Sequence, residues 1–239
     1  MRLFDYAFGS PLANVAMDEA ILDLLQEATD RGESNDEVLR LWQFSEVCVV
    51  LGRGSKLDEV HQAACAQDGV PILRRCSGGA SIVAGPGCLM YSLVLSLAKR
   101  PELREIDRAH RCVMQRLQRA AEPLVPGIAI DGICDLTKDG RKCSGNAVRY
   151  KRDWVLYHGT LLCRFPLPLI ERYLAMPPRV PAYRLERSHR DFLVNLDVDP
   201  APLKERLAQL WEAEERWESQ AWLSDVKAKT DQLIESKYR

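Results

Sequence analysis

The chain has 239 residues, 46% of them hydrophobic, which is enough to bury a substantial core and too apolar for a disordered segment. Its 33 basic and 34 acidic residues give a formal net charge of −1. That balance argues against a generic nucleic-acid binder or membrane-surface protein, since either normally carries a basic excess.

The N-terminal MRLFDYAFGS lacks the apolar stretch of a secretory signal, and the longest apolar run, Leu89 to Ala98, is too short to span a bilayer. The eight cysteines are scattered with no CxxC pair, so zinc-finger spacing is absent and reduced thiols in a cytoplasm are expected. From Ala13 to Ala28, apolar residues recur with helical period on one face. VLRLWQF and VCVVLG read as strands, and Asp58 to Gln67 reads as a helix with acids in its first turn. VPILRR is a strand that delivers Arg74 and Arg75 into a glycine turn. ASIVA and CLMYSLVLSL then flank Gly85-Pro86-Gly87 as strands, and Pro101 to Ala121 is a second long helix. CDLTK and RKCSGNAV flank Asp139-Gly140, a hairpin turn signal, and WVLYHGTLLC is the next strand. Leu167 to Leu174 is a short helix, a proline-rich loop follows, and two helices near Pro200 to Trp217 and Gln220 to Glu235 close the chain. The sum is an α+β fold with mixed, largely antiparallel sheets packed by helices. With no clear linker, residues 1–239 read as a single domain, with C-terminal helices from about residue 199.

Two arginines beside Ser77-Gly78-Gly79 suit an anion. Guanidinium forks bind carboxylate or phosphate, and a glycine turn lets backbone N–H groups approach. Neighbouring strand residues face opposite ways, so only one of Arg74 and Arg75 should face a ligand directly. The same alternation places Lys142 and Ser144 on one face of a hairpin strand and Cys143 on the other. The bland alternatives are a turn with two exposed arginines and a solvated lysine.

Three segments in order, Arg74-Arg75-Cys76-Ser77-Gly78-Gly79, Lys142-Cys143-Ser144-Gly145-Asn146-Ala147 and His158-Gly159-Thr160-Leu161-Leu162, resemble the lipoate–protein ligase family of the biotin/lipoate ligase superfamily. The resemblance covers roughly Asn14 to Leu210. It implies a two-step reaction: lipoate, or octanoate, and ATP form an acyl-adenylate, and the acyl group then passes to a lysine of an acceptor protein. That acceptor would be a lipoyl domain of a 2-oxoacid dehydrogenase E2 or the H protein of glycine cleavage. Lys142 resembles the catalytic lysine, which contacts carboxylate and phosphate. Arg74, Arg75, Ser77, Gly78, Gly79, Asp135, Ser144, Gly145, Ala147, His158 and Gly159 fall at substrate- or nucleotide-binding positions, and Asp135 is also the candidate ligand for Mg2+. The strands SIVA and MYSLVL offer a wall for the aliphatic tail, or ordinary core.

The sequence departs from the family pattern at Ala80, Ala84, Cys134 and Tyr157. The family's separate C-terminal accessory domain has no counterpart here, which leaves room for a separate accessory polypeptide. Two rivals remain: a cysteine-dependent octanoyl or lipoyl transferase, with Cys134 as nucleophile, and a non-catalytic acyl-binding protein.

Overall fold

The structure is a computed structural model that describes residues 1–213, 215–216 and 220–238. Strand β1 (Arg2–Phe4) precedes helix α1 (Pro11–Asp30), whose Ser10 N-cap accepts a hydrogen bond from the Ala13 N–H and whose first residue is a proline, a favoured start. Then come β2 (Val38–Trp42), β3 (Cys48–Leu51), α2 (Gln62–Asp68), β4 (Ile72–Arg74), β5 (Ile82–Ala84) and β6 (Cys88–Ser96). Helix α3 (Ile106–Ala121) leads into β7 (Ile128–Asp131), β8 (Asp135–Lys138), β9 (Arg141–Lys142), β10 (Ser144–Tyr150) and β11 (Trp154–Leu162). The chain continues through α4 (Pro168–Tyr173), α5 (His189–Phe192), α6 (Pro200–Leu210), β12 (Glu215–Arg216) and α7 (Gln220–Ser236).

Six strands form the main sheet in the order β10-β11-β6-β2-β1-β12; the first three pairings are antiparallel and the two involving β1 are parallel. Strand alternation divides the apolar residues between the two faces of this sheet. Leu39, Leu41, Leu93, Leu95 and Tyr157 pack with Val113, Met114 and Leu117 of α3 and with Leu203 and Leu207 of α6. Val38, Val94 and Leu156 pack with Met17, Ile21 and Leu25 of α1 and with Val226 of α7. Two three-stranded sheets, β4-β3-β5 and β7-β8-β9, flank this sandwich. The fold is therefore α+β with mixed sheets, as expected from the sequence.

Three boundaries differ from those expectations. The helix expected over Asp58–Gln67 is interrupted: a 3-10 turn spans Leu57–Glu59, and Val60 then pairs as an isolated antiparallel bridge with Leu174, so α2 starts only at Gln62. The His61 N–H donates to the Tyr173 carbonyl, a long-range bond that periodicity does not encode. At Pro101 a 3-10 turn precedes α3, because Glu105 is extended (φ −85°, ψ 117°). The helix expected from Pro200 to Trp217 ends at Leu210, and its last expected residue, Trp217, lies outside the described residues. No described helix is long and apolar enough to cross a membrane.

Candidate active site

The hairpin β8–β9, the β10–β11 pair, β5 and the segment preceding α5 all contribute to the wall of a cavity of about 210 Å³. Part of this wall is apolar: Trp42, Phe44, Val50, Val83, Met90 and Leu162 belong to one buried cluster. Of the two strands offered as an acyl-tail wall, Ile82 and Val83 reach the cavity. From MYSLVL only Met90 does so, and Tyr91, Leu93 and Leu95 lie in the main core.

The polar wall holds Lys142, Ser144, Gly145, Asn146, Ala147, His158 and Gly159 from the second and third motifs and Arg75 from the first. Lys142 is ion-paired with Asp135, its Nζ 2.7 Å from Oδ1, and the other Asp135 oxygen accepts from the Tyr183 hydroxyl at 2.8 Å. Burial and the adjacent carboxylate push the Tyr183 phenol well above its ordinary range. Cys143 faces the core and Ser144 the cavity, following strand alternation; Ser144 Oγ accepts from the Leu136 N–H at 2.7 Å and so ties β8 to β10.

Arg75 is 8% exposed and makes no carboxylate ion pair among the described residues. Its Nε donates to Ser77 Oγ (3.1 Å), Nη1 to the Val50 carbonyl (3.2 Å), and Nη2 to the carbonyls of Gly78 (2.6 Å) and Ala80 (2.9 Å). Burial lowers its pKa to about 10, which leaves it charged at neutral pH. Arg75 thus closes the glycine loop around its own guanidinium while presenting its charge at the cavity. Gly79 takes φ +87°, and a β-carbon on Gly52 would overlap the Gly79 carbonyl oxygen, so the loop and the end of β3 meet backbone to backbone. Arg74 is turned outward, Nη1 donating to the carbonyls of Gly52 and Ser55 at 2.8 Å each.

Ser77 does not line the cavity. Its Oγ lies 2.6 Å from His158 Nε2, and His158 Nδ1 lies 2.8 Å from Asp18 Oδ2. The Asp18 carboxylate only accepts, which assigns a proton to His158 Nδ1, and in that neutral tautomer Nε2 accepts from the Ser77 hydroxyl. Asp18 also accepts from Ser92 Oγ (2.7 Å) and pairs with fully buried Arg40 (2.7 Å). Burial opposes the Asp18 charge, but the His158 hydrogen bond and the Arg40 guanidinium outweigh it and hold the carboxyl below the usual range. The geometry has the residue types of a hydrolytic triad, yet its serine is 1% exposed and fixed as a link between the loop, β11 and α1.

Several expected site residues therefore stand behind the wall. Arg74, Ser77, Gly78 and Gly79 shape the loop, and Asp135 holds Lys142. Asp135 has both oxygens engaged, and no cluster of three or more His, Cys, Asp or Glu able to hold a metal occurs among the described residues. The residues present do not fit a protein-built Mg2+ site. Cys134 is also outside the wall; burial and Asp135 push its thiol up, with Lys142 acting the other way. No cysteine among the described residues lines the cavity, and burial raises Cys76, Cys88 and Cys143 to about 12 each.

Sequence reasoning missed Asp18, Trp42, Phe44, Asn146, Arg184 and His189, all in the cavity wall. Two of them left a signal: Asp18 is an acid on an otherwise apolar helix face, and Asn146 lies inside the lysine motif. Asn146 Oδ1 accepts from the Tyr91 hydroxyl and its Nδ2 donates to the Cys134 carbonyl, both at 2.5 Å.

A helix-flanked mixed sheet thus holds an apolar-walled cavity, a half-buried lysine and an arginine-closed glycine loop, the parts of a site for an anionic ligand with an apolar tail. The chain belongs to the lipoyl protein ligase A/B catalytic domain family, which it matches over residues 10–201. It is 29% identical over 164 residues to the "Probable lipoate-protein ligase A" of Mycoplasma pneumoniae, covering 69% of this chain and 46% of that protein. It is 32% identical over 143 residues to the octanoyl-[GcvH]:protein N-octanoyltransferase of Kyrpidia tusciae, covering 52% of this chain and 49% of that protein. The chain thus spans about half the length of these curated relatives. A solved structure of a bi-partite lipoate protein ligase from Thermoplasma acidophilum, studied with its E2 lipoyl domain, superposes with a TM-score of 0.78 at 18% identity, covering 99% of this chain and 92% of that one.

Proposed function

We propose that the chain is the catalytic part of an ATP-dependent lipoate–protein ligase. In the first step a lipoate carboxylate oxygen attacks the ATP α-phosphorus and pyrophosphate leaves. In the second, the neutral amine of an acceptor lysine attacks the acyl carbon, AMP leaves, and the nitrogen loses a proton. The observation that carries this reading is Lys142 in the polar wall, held by Asp135 beside the uncompensated charge of Arg75 and opposite an apolar wall. Two anions meeting there need positive charge aimed at their junction, and a water-poor site strengthens that attraction. His158 and Ser77 act on the loop by positioning it. Magnesium enters this reading as a companion of the nucleotide phosphates and is assigned no protein ligands.

The transferase reading is favoured by the Kyrpidia relative, whose name describes octanoyl transfer. Against it, that chemistry needs an accessible, low-pKa thiol at the acyl carbon, and the cavity wall holds none. A medium-chain acid remains a candidate substrate, because one methylene in an apolar pocket discriminates by only about 1–3 kcal/mol. The bi-partite Thermoplasma ligase supports a second, accessory polypeptide as partner, and eight unpaired cysteines suit a cytoplasmic setting.

The test is lipoate-dependent ATP–pyrophosphate exchange, followed by intact mass of an apo lipoyl domain incubated with ATP and with lipoate or octanoate. Exchange and an ATP-dependent mass gain are expected, and Cys134→Ser should retain both within about a few-fold. An ATP-independent, hydroxylamine-sensitive acyl adduct on Cys134 would install the transferase instead.

A further inference from the structure

Beside the Lys142 wall the surface has an unusual make-up. Ile133 is 77% exposed and Leu185 78% exposed, on two loops that pack together. The Tyr183 ring sits on Gly132, where a β-carbon would come within 3.1 Å of it, and its hydroxyl reaches Asp135. Arg187 ties its segment to the β8–β9 turn by donating to the Gly140 carbonyl at 3.0 Å, and braces the segment itself by donating to the Tyr183 carbonyl at 2.6 Å. Leu185 and Glu186 both take left-handed backbone, φ 51° and 59°. For a leucine this conformation is costly, and here its side chain gains no burial in return, a pattern that points to function rather than folding.

The charge on this rim has a basic excess. Residues 179–190 carry Arg179, Arg184, Arg187 and Arg190 against Glu186, with Asp191 next in the chain, and the facing segment adds Lys138, Arg141 and Lys142 against Asp131, Asp135 and Asp139. None of the four arginines is ion-paired to a carboxylate among the described residues. Arg184 lines the cavity, is 3% exposed, and its Nη2 has no hydrogen-bond partner. Exposed apolar side chains within a basic field, on a chain whose overall charge is −1, mark a local interaction surface.

We propose that this rim, Ile133 and Leu185 with the arginines of 179–190, is where the acyl-acceptor protein docks, and that the acceptor presents its lysine from an acidic surface. The inference rests on the ligase reading for what the acceptor is. An acceptor lysine entering here approaches Lys142, Arg75 and Arg184, and like charges would repel its ammonium. Carboxylates flanking that lysine offset the repulsion and pair with Arg179 and Arg190, while Ile133 and Leu185 supply apolar anchors. The basic rim also favours loss of the lysine's proton, which attack on the acyl carbon requires.

The experiment uses the full chain, an apo lipoyl domain of a 2-oxoacid dehydrogenase E2, and the variants Leu185→Asp and Arg190→Glu. Direct titration should show acceptor binding weakened by about ten-fold in each variant, with lipoate-dependent pyrophosphate exchange unchanged. Added salt should weaken the unaltered protein's binding more than that of Arg190→Glu. Unchanged acceptor affinity in both variants overturns the docking surface, as does loss of exchange alongside unchanged affinity. Dissociation of a dimer by Leu185→Asp, with acceptor affinity intact, assigns the patch to self-association and overturns it equally. If the unaltered protein binds acceptor through this rim but shows no exchange, the ligase reading fails and the docking surface stands.

Discussion

Arg75 and Lys142 divide the positive charge of the cavity between two kinds of support. Lys142 is held by a single carboxylate; Arg75 is held by four hydrogen bonds to its own loop and to β3. Arg75→Lys should therefore lose stability and activity together, because an ammonium cannot span Ser77, Gly78, Ala80 and Val50 at once. Leaving buried carbonyls unpaired costs about 1–3 kcal/mol, to be read as a lower urea midpoint alongside slower pyrophosphate exchange. A variant with native stability and reduced exchange would mean that the arginine's donors meet substrate instead. Lys142→Ala should still fold, though with a lowered melt because buried Asp135 keeps its Tyr183 bond but loses its ion-pair partner, while adenylate formation is abolished. Near-normal exchange in that variant would remove Lys142 from the chemistry. The motifs made both residues visible in the sequence. That Arg75 points its donors inward was not visible, since Val50 lies 25 positions away and only the fold brings it near.

At the scale of elements, most strands and helices were legible because their apolar pattern matches what they bury, near-continuous runs for β2 and β6, which are buried on both faces, and a period near 3.6 for α1 and α3. The failures have a common cause. The break at Val60 and the roles of Arg184 and His189 depend on long-range partners in a proline-rich segment without periodicity. The β10–β11 pair shows how closely an element can set the site. Asn146 opposes Gly159 in register, and a β-carbon on Gly159 would overlap Asn146 Oδ1, come 2.5 Å from the Gly145 carbonyl oxygen and 2.9 Å from Tyr91 Cε1. Gly159→Ala must push β10 away from β11 and shift Gly145 and Asn146 in the cavity wall. The expected cost is about 1–3 kcal/mol in thermal or urea unfolding, with impaired adenylate formation. Gly54→Ala, where nothing lies within 4 Å of the added carbon, is the control and should change neither. Equal effects of the two substitutions would refute this account of Gly159.

Across the whole molecule, α1 carries two adjacent buried acids that bind it to otherwise separate parts of the chain. Asp18 holds Arg40 of β2, Ser92 of β6 and His158 of β11. Glu19 holds Lys237 (2.6 Å) and Tyr238 (2.7 Å) just beyond α7 and Arg149 of β10 (3.2 Å), while Arg149 also donates to the Cys76 carbonyl beside the glycine loop. Burial opposes both charges. The partners prevail: His158 and Arg40 hold Asp18 below its ordinary 3.8, and Lys237, Tyr238 and Arg149 hold Glu19 below its ordinary 4.5. As pH falls, the unfolded chain takes up these protons before the folded chain does. The stabilisation is thus complete above the unfolded values and is lost as pH drops through 4.5 and then 3.8 toward the folded ones. Urea midpoints should decline gently below about 6.5, where the unfolded chain protonates His110 and His189 before the folded chain does because burial lowers both imidazoles, and fall steeply below about 5. Glu19→Gln isolates one share of that slope: it keeps an acceptor for Tyr238 but loses the charge facing Lys237 and Arg149. It should be less stable than the parent at neutral pH, and the two curves should converge as acid neutralises Glu19 in the parent. Parallel curves over the whole range would show that Glu19 titrates alike in the folded and unfolded chains, and that the ion pairs joining α1 to α7 and β10 contribute nothing to acid sensitivity.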